Sequence, residues 1–285
     1  MQEGKPSLTA FAVAGRRAAH QLIDHPPLVL DDPIAVPILG PYAAFAITSN
    51  PEKHRHPFSF AMRAFMVARS RYAEDHLRLA VADGVRQYVV LGAGLDTFAY
   101  RNPYPLEHLK VFEIDHPTTQ QWKRELLSAA NIALPENLSF VPVDFERQTL
   151  ISALTESGFD FQQPAYFSWL GVTPYLTLEA FRSTLKAVAA LPNNTGITFE
   201  YVLPRASLSE RARTSFDLIA ARVEKIGEPF QLFFTPEQMR DELEIHGFSK
   251  IEELTSADIN TRYFSERNDG LRLYGEGGRL ITAWL

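Results

Sequence analysis

The segment from Val89 to Thr97 (VVLGAGLDT) constrains the fold most, because an apolar run leads directly into a turn that contains two glycines. The apolar residues predict a buried strand, and the polar residues after the turn predict the start of a helix. Gly92 and Gly94 permit positive φ and close approach of a ligand, and helix N-termini offer free N–H groups. The segment therefore predicts a strand, a turn and a helix that hold a nucleotide cofactor.

The next predicted strand, Leu109 to Asp115, ends on an acid about 20 residues after the glycines. Doubly wound sheets place the carboxylate that binds the ribose hydroxyls at this position. Nicotinamide sites usually have a third glycine three residues after the second, where this chain has Thr97. This difference favours a cofactor with a ribose and no pyrophosphate, and S-adenosyl-L-methionine is the common one. An NAD(P)-dependent oxidoreductase is the less favoured alternative.

Apolar strand patterns and helical patterns alternate from residue 85 to residue 285, which predicts a mainly parallel, doubly wound α/β sheet covered on both faces. The pattern places two helix starts at Thr177 and Thr235, each followed by helix-forming residues. The predicted strands are Gln87–Leu91, Lys110–Ile114, Leu138–Val143, Ala165–Trp169, Gly196–Val202, Ser249–Leu254 and Arg279–Trp284.

Two regions lie outside this alternation. Residues 1–84 are interrupted by prolines and predict a helical extension that packs on the core, with one helix over residues 64–82. The segment of about 203–234 contains a helical stretch, Leu208–Ile226, that is longer than a simple connection needs. It predicts an inserted lid over the ligand crevice, with plain packing of the scaffold as the alternative.

Composition excludes several classes of protein. The net charge of −6 argues against nucleic acid as a partner, because phosphate binding needs clustered Lys and Arg. The chain has no cysteine and no apolar run long enough to span a bilayer, which predicts a soluble, cytoplasmic protein that is not membrane-bound. The eight histidines lack metal-ligand spacing, so no metal is expected. Nothing in the sequence indicates the oligomeric state.

Four segments carry a resemblance to a known family: Val89–Arg101 (VVLGAGLDTFAYR), Val111–Pro117 (VFEIDHP), Val141–Arg147 (VPVDFER) and Phe167–Thr177 (FSWLGVTPYLT). They resemble, in order, the motifs of the leucine carboxyl methyltransferase family, and most of all those of its bacterial branch. The resemblance covers nearly the whole chain. It implies a class I methyltransferase fold, Rossmann-like with seven strands and an antiparallel C-terminal strand, and S-adenosyl-L-methionine as cofactor.

The resemblance also implies roles for individual residues around this cofactor. The glycine turn would lie beside the methionine part and the ribose, and Asp115 would bind the ribose hydroxyls. An aspartate and an aromatic residue after the third strand would contact the adenine, and two arginines would lie near the methionine carboxylate. These residues are Gly92, Ala93, Gly94, Asp115, Asp144, Phe145, Arg69 and, in a looser register, Arg17.

The chain differs from the family at one position. Many members have Trp-Glu-Gly where this chain has Trp169-Leu170-Gly171, and the family glutamate accepts a hydrogen bond from the methionine amine. Leucine cannot accept it, so the amine is expected to bind backbone carbonyls near Gly92 or Leu170, or the cofactor binds weakly. A non-catalytic relative that binds S-adenosyl-L-methionine therefore remains an alternative.

For the acceptor, the expectation is an O-methyltransferase that acts on a carboxylate or a hydroxyl of a small metabolite. A carboxylate is ionised at neutral pH and needs no general base, whereas a hydroxyl acceptor benefits from one. Tyr175, Glu200 and Tyr201 are the candidate neighbours, since they lie at predicted strand ends or loops on the crevice side. Packing or hydrogen bonding within the scaffold is the alternative role of each.

Overall fold

A computed structural model describes residues 8–143, 148–225 and 227–285. All seven predicted strands are present, and their ends differ from the prediction by no more than one residue. The strands are β1 Gln87–Leu91, β2 Lys110–Asp115, β3 Leu138–Pro142, β4 Tyr166–Trp169, β5 Gly196–Val202, β6 Lys250–Leu254 and β7 Gly278–Trp284.

The seven strands form one sheet in the order β3-β2-β1-β4-β5-β7-β6. Neighbouring strands from β3 to β5 pair in parallel, and β7 pairs antiparallel with both β5 and β6. The predicted doubly wound sheet with an antiparallel C-terminal strand is therefore confirmed. Because the strand order reverses between β1 and β4, a crevice opens at the carboxyl ends of these strands.

Helices precede the sheet and then cover it. None of those in the described residues is both long and apolar enough to cross a bilayer. They are α1 Leu8–Ile23, α2 Gly40–Ser49, α3 Pro51–Arg55, α4 Pro57–Ala82, α5 Pro117–Ala129, α6 Leu150–Glu156, α7 Leu178–Ala189, α8 Glu210–Lys225, α9 Pro236–Ile245 and α10 Ser256–Tyr263.

Local signals in the sequence start two of these helices as predicted. The Thr177 side chain accepts a hydrogen bond from the Ala180 N–H at the start of α7. Thr235 forms a reciprocal capping box with Gln238 at the start of α9, which satisfies two N–H groups that have no partner within the helix.

The prediction of a helix directly after the glycine turn is wrong. The chain there forms only a single turn of 3-10 helix, Phe98–Arg101. Pro103 and Pro105 follow closely, and a proline cannot continue a helix because it lacks the N–H group. The Asn102 side chain instead accepts a hydrogen bond from the Tyr104 N–H and turns the chain away. The glycine turn is therefore not followed by a long helix.

Alternating side chains of the strands enter two cores, one on each face of the sheet. On β1, Val89 and Leu91 belong to the core on one face, and Tyr88 and Val90 belong to the core on the other. Both cores are closed by helices, so the sheet is buried on both faces.

Candidate active site

A cavity of about 1070 Å³ lies at the carboxyl ends of the strands. Its volume is above the roughly 300–1,000 Å³ that is common for a site holding one small ligand. Residues from the ends of five parallel strands contribute to its wall: Gly92 after β1, Asp115 at the end of β2, Val143 after β3, Leu170 after β4 and Val202 at the end of β5.

The predicted glycine turn forms part of this wall, with Gly92, Ala93 and Gly94 all at its surface. Gly92 has φ +65° and Gly94 has φ +49°, a backbone region that side chains disfavour. A Cβ atom at Gly92 would overlap with the side chain of Val172, and one at Gly94 would lie 3.1 Å from the Cβ atom of Ala10. Both glycines are therefore required by the turn and by its close packing.

Asp115 joins the end of β2 to this turn. Its Oδ2 accepts a hydrogen bond of 2.5 Å from the Gly94 N–H, and its Oδ1 accepts one of 2.6 Å from the His116 N–H. Burial raises the pKa of this carboxyl group, and the two backbone donors act in the opposite direction. Each carboxylate oxygen has a further lone pair, so Asp115 retains capacity to accept from ligand hydroxyls.

A buried ion pair lies further along the same cavity. The Arg69 Nη1 atom of α4 is 2.5 Å from Glu200 Oε1 of β5, and the same oxygen accepts a hydrogen bond of 2.6 Å from the Gly171 N–H. Arg69 is 6% exposed and Glu200 4% exposed. A Cβ atom at Gly171 would lie 3.0 Å from Arg69 Nη2, so the absence of a side chain there permits this approach.

The second oxygen of Glu200, Oε2, is buried and has no hydrogen-bond partner among the described residues. Burial raises the pKa of Glu200, and Arg69 opposes that shift. Buried carboxylate oxygens without a donor are costly and unusual, so an oxygen that lacks one beside a cavity indicates a place for a ligand donor.

Glu200 lies close to Leu170, the residue that stands where many family members have a glutamate. Leu170 lines the same cavity, and its neighbour Gly171 donates its N–H to Glu200. Glu200 of β5 thus places a carboxylate next to residue 170, which itself has none. The sequence contained a signal for it, an acid within the apolar strand GITFEYV, but its partner Arg69 lies 131 positions away. Only the fold brings the two together.

Arg17 lies beside the glycine turn and makes three polar contacts there. Its Nη2 atom donates to the Leu95 carbonyl, its Nη1 atom is 3.4 Å from Asp96 Oδ2, and its Nε atom is 3.7 Å from Asp32 Oδ2. These contacts hold α1 against the turn. The predicted contact of Arg17 with the methionine end of the cofactor stays a prediction.

The two candidate tyrosines differ in their surroundings. Tyr175 lines the cavity with its ring 5.5 Å from that of Phe230, and burial raises its pKa to about 12. Its hydroxyl is therefore protonated at neutral pH. Tyr201 also lines the cavity, but its hydroxyl donates to Glu253 Oε1 at 2.7 Å.

The predicted adenine contacts, Asp144 and Phe145, lie outside the described residues.

Two histidines take part in polar pairs with carboxylates. His20 Nδ1 is 2.8 Å from Asp24 Oδ2, and His76 Nε2 is 2.8 Å from Glu252 Oε2. Within residues 8–143, 148–225 and 227–285, no group of three His, Asp or Glu side chains is arranged to hold a metal ion. These pairs therefore contribute to packing between elements.

The model of the leucine carboxyl methyltransferase family matches residues 10–189, more than half of the chain. The chain belongs to this family. One curated relative, "Putative S-adenosyl-L-methionine-dependent methyltransferase YktD" of Bacillus subtilis, is 32% identical over 96% of both chains. A Mycobacterium marinum protein with the same description is 27% identical over 97% of this chain and 80% of its own.

Solved structures show the same fold at low sequence identity. A "putative methyltransferase" from Thermobifida fusca has a TM-score of 0.57 at 14% identity, covering 99% of this chain and 96% of its own. A DUF574 family protein from Streptomyces avermitilis has a TM-score of 0.56 at 16% identity, covering 94% and 96%. The family member described here is a methyltransferase that uses S-adenosyl-L-methionine.

Proposed function

We propose that this methyltransferase transfers the methyl group to an oxygen, a carboxylate or a hydroxyl, of a small metabolite. The observation that supports the proposal is the continuity of the cavity. One cavity wall contains the glycine turn, Asp115, Arg69 and Glu200, and also apolar side chains of α4 and α8. We assign the first of these groups, the first end, to the cofactor and the second group, the second end, to the acceptor.

The residues of the first end fit S-adenosyl-L-methionine, which supplies an electrophilic methyl group on a sulfonium when bound. Asp115 has lone pairs free for the two ribose hydroxyls. Arg69 offers a guanidinium to the methionine carboxylate. We assign the ammonium group to Oε2 of Glu200, the buried oxygen without a donor. Arg69 and Glu200 would thus bind the carboxylate and the ammonium group, respectively, of the methionine part of the cofactor.

The second end fits an acceptor with an apolar body. Four side chains of α4, spaced for one helix face, and two of α8 line it. Segment 203–234, which contains α8, would serve as the lid that excludes water, as its length suggests. The lining side chains are Phe58, Met62, Phe65 and Met66 of α4, and Phe216 and Ile219 of α8.

The nucleophile determines what the chain must supply. A carboxylate oxygen donates its lone pair to the methyl carbon while the carbon–sulfur bond breaks, and no proton has to leave. A hydroxyl acceptor must also pass its proton to a base or to water, and we assign the Tyr175 hydroxyl in the cavity wall, which is itself protonated at neutral pH, as a hydrogen-bond partner and not as that base. Leu170 motivates the non-catalytic alternative, and the assignment of the methionine amine to Glu200 supports the catalytic one instead.

The proposal is tested first by ligand binding and then by turnover. S-adenosylhomocysteine should raise the unfolding temperature and NADH should not, because a ligand that binds only the native state stabilises it. Radiolabelled methyl transfer to a panel of carboxylates and phenols should then give products, and base-labile products identify esters. Stabilisation by NADH alone would reject the proposal, and tight S-adenosylhomocysteine binding without any turnover would favour the non-catalytic alternative.

Asp115→Asn should weaken S-adenosylhomocysteine binding by about 1–3 kcal/mol, the scale of a lost buried hydrogen bond. The amide keeps the shape but replaces one acceptor oxygen by a donor that opposes the Gly94 N–H. Calorimetric titration measures the affinity, and Asp83→Asn at an exposed helix end is the matched control. Equal affinities of the two variants would remove the ribose role from Asp115.

A further inference from the structure

Two arginines of the cavity wall form no ion pair with any described carboxylate. Arg16 of α1 donates one hydrogen bond, of 3.0 Å, to the Ala12 carbonyl in its own helix. Arg222 of α8 also lines the cavity. The other two arginines of this wall are neutralised, Arg17 by Asp96 and Arg69 by Glu200. Arg16 and Arg222 therefore leave positive charge without a partner in the wall.

Other guanidinium groups act on Arg16 electrostatically. Burial first, and then the guanidinium groups of Arg222, Arg69 and Arg63 in that order, lower the pKa of Arg16 to about 10. A guanidinium held near others in a partly buried wall is stabilised by an anion placed between them. Glu228 and Glu276, also in the wall, accept hydrogen bonds from the hydroxyls of Thr9 and Ser209, and neither forms a described ion pair with Arg16 or Arg222.

The apolar surface next to these arginines comes from the same helices. On α8, Ile219 lies three residues before Arg222 and Phe216 three residues before Ile219, and all three side chains line the cavity. On α1, Val13 precedes Arg16 by three residues and also lines the cavity. Each of these helices thus presents apolar side chains and one arginine to the same space.

We infer that the acceptor is an organic anion with an apolar body, and that Arg16 and Arg222 together bind its anionic group. This inference rests on the proposed function and specifies its substrate class. Guanidinium groups from α1 and α8 suit this role because each presents a planar pair of donors to a carboxylate or a phosphate. The anion also connects α8 to α1, so an occupied site holds α8 against α1.

A charge series on one apolar body tests the inference. Phenylbutyrate, phenylbutanol and phenylbutylamine differ in charge and little in shape, and each is titrated calorimetrically into the full chain, with and without saturating S-adenosylhomocysteine. Phenylbutyrate should bind at least about tenfold more tightly than the other two. Arg16→Gln and Arg222→Gln should each weaken phenylbutyrate binding about tenfold, the effect of a lost hydrogen bond to a charged group, and leave phenylbutanol unchanged.

Arg211→Gln is the matched control, because Arg211 is an exposed arginine of the same helix that does not line the cavity. Equal binding of phenylbutyrate and phenylbutanol to the unaltered chain, or phenylbutyrate binding insensitive to both cavity substitutions, overturns the inference. Loss of S-adenosylhomocysteine affinity in Arg16→Gln and Arg222→Gln also overturns it, since the arginines would then serve the cofactor. Failure of the unaltered chain to bind S-adenosylhomocysteine counts against the proposed function instead.

Discussion

Glu200→Gln is expected to weaken S-adenosylhomocysteine binding by about ten- to a hundredfold, as measured by calorimetric titration. An ammonium hydrogen-bonded to a buried carboxylate contributes about 1.5–3 kcal/mol, and each 1.4 kcal/mol is about a factor of ten in affinity. The glutamine keeps an oxygen that can accept from the Gly171 N–H, so the local backbone is preserved. The variant removes the charge that we assign to the methionine end.

The chain offers its own rescue of this loss. Leu170→Glu places a carboxylate at the position where many family members carry one, and residue 170 is adjacent to the Gly171 N–H that contacts Glu200. Combined with Glu200→Gln, it should recover most of the lost affinity, while Leu170→Gln in the same background should not. A merely structural role of Glu200 would lower the unfolding temperature without changing the affinity of the folded protein, and that result would contradict the assignment.

Lys123→Met is expected to lower the free energy of unfolding by about 3–5 kcal/mol near pH 8. Lys123 of α5 and Glu113 of β2 are each 1% exposed, and their charged atoms are 2.6 Å apart. Methionine keeps the apolar length of the side chain but leaves the buried carboxylate without a cation, with only the Tyr100 hydroxyl at 3.5 Å as a donor. Urea denaturation measures the loss, and Lys186→Met on the exposed face of α7 should change stability by less than about 0.5 kcal/mol.

The dependence of this loss on pH follows from the pKa of Glu113. Burial raises that pKa and Lys123 opposes the shift, and together they bring it from 4.5 to about 7. A raised pKa in the folded state means that the contribution of Glu113 to stability is complete below pH 4.5 and is lost as the pH rises through 7. Without Lys123 the pKa of Glu113 rises further, because Lys123 is the group that lowers it. The free energy of unfolding lost in Lys123→Met should therefore be larger near pH 8 than near pH 5.

A double variant separates the charge from the packing. Glu113→Gln combined with Lys123→Met removes both charges, and such replacements of buried pairs are often neutral or stabilising. Its stability near pH 8 should therefore exceed that of Lys123→Met alone by about 2 kcal/mol or more. If the double variant is as unstable as the single one, the lost packing of the lysine stem is responsible and the electrostatic explanation fails.

Much of the fold could be predicted because its signals are local. Each strand is a short apolar run, and turn or helix signals bound it within a few residues. The capping box at Thr235 needs only the residue three positions later. The prediction of a helix after the glycine turn is wrong for an equally local reason, because Pro103 and Pro105 prevent the 3-10 turn from continuing as a helix.

The candidate site could be predicted only in part. Asp115 was found because its distance from the glycines is fixed by one strand, one connection and the next strand. For Glu200, the sequence predicts a place next to the acceptor, whereas the structure leads us to assign it to the ammonium group of the cofactor. Its contact with Arg69 depends on the packing of α4 against β5, which no local pattern encodes.

The sequence by itself determined the seven strands, the glycine turn with its acid, and the family, because these depend on residues close together in the chain or on motifs in a fixed order. Only the tertiary structure decided which charges are paired and which are not. Arg17 and Arg69 have carboxylate partners from distant segments, whereas Arg16 and Arg222 have none among the described residues. Charge pairing is a property of distance in space, and folding sets that distance by packing helices onto the sheet.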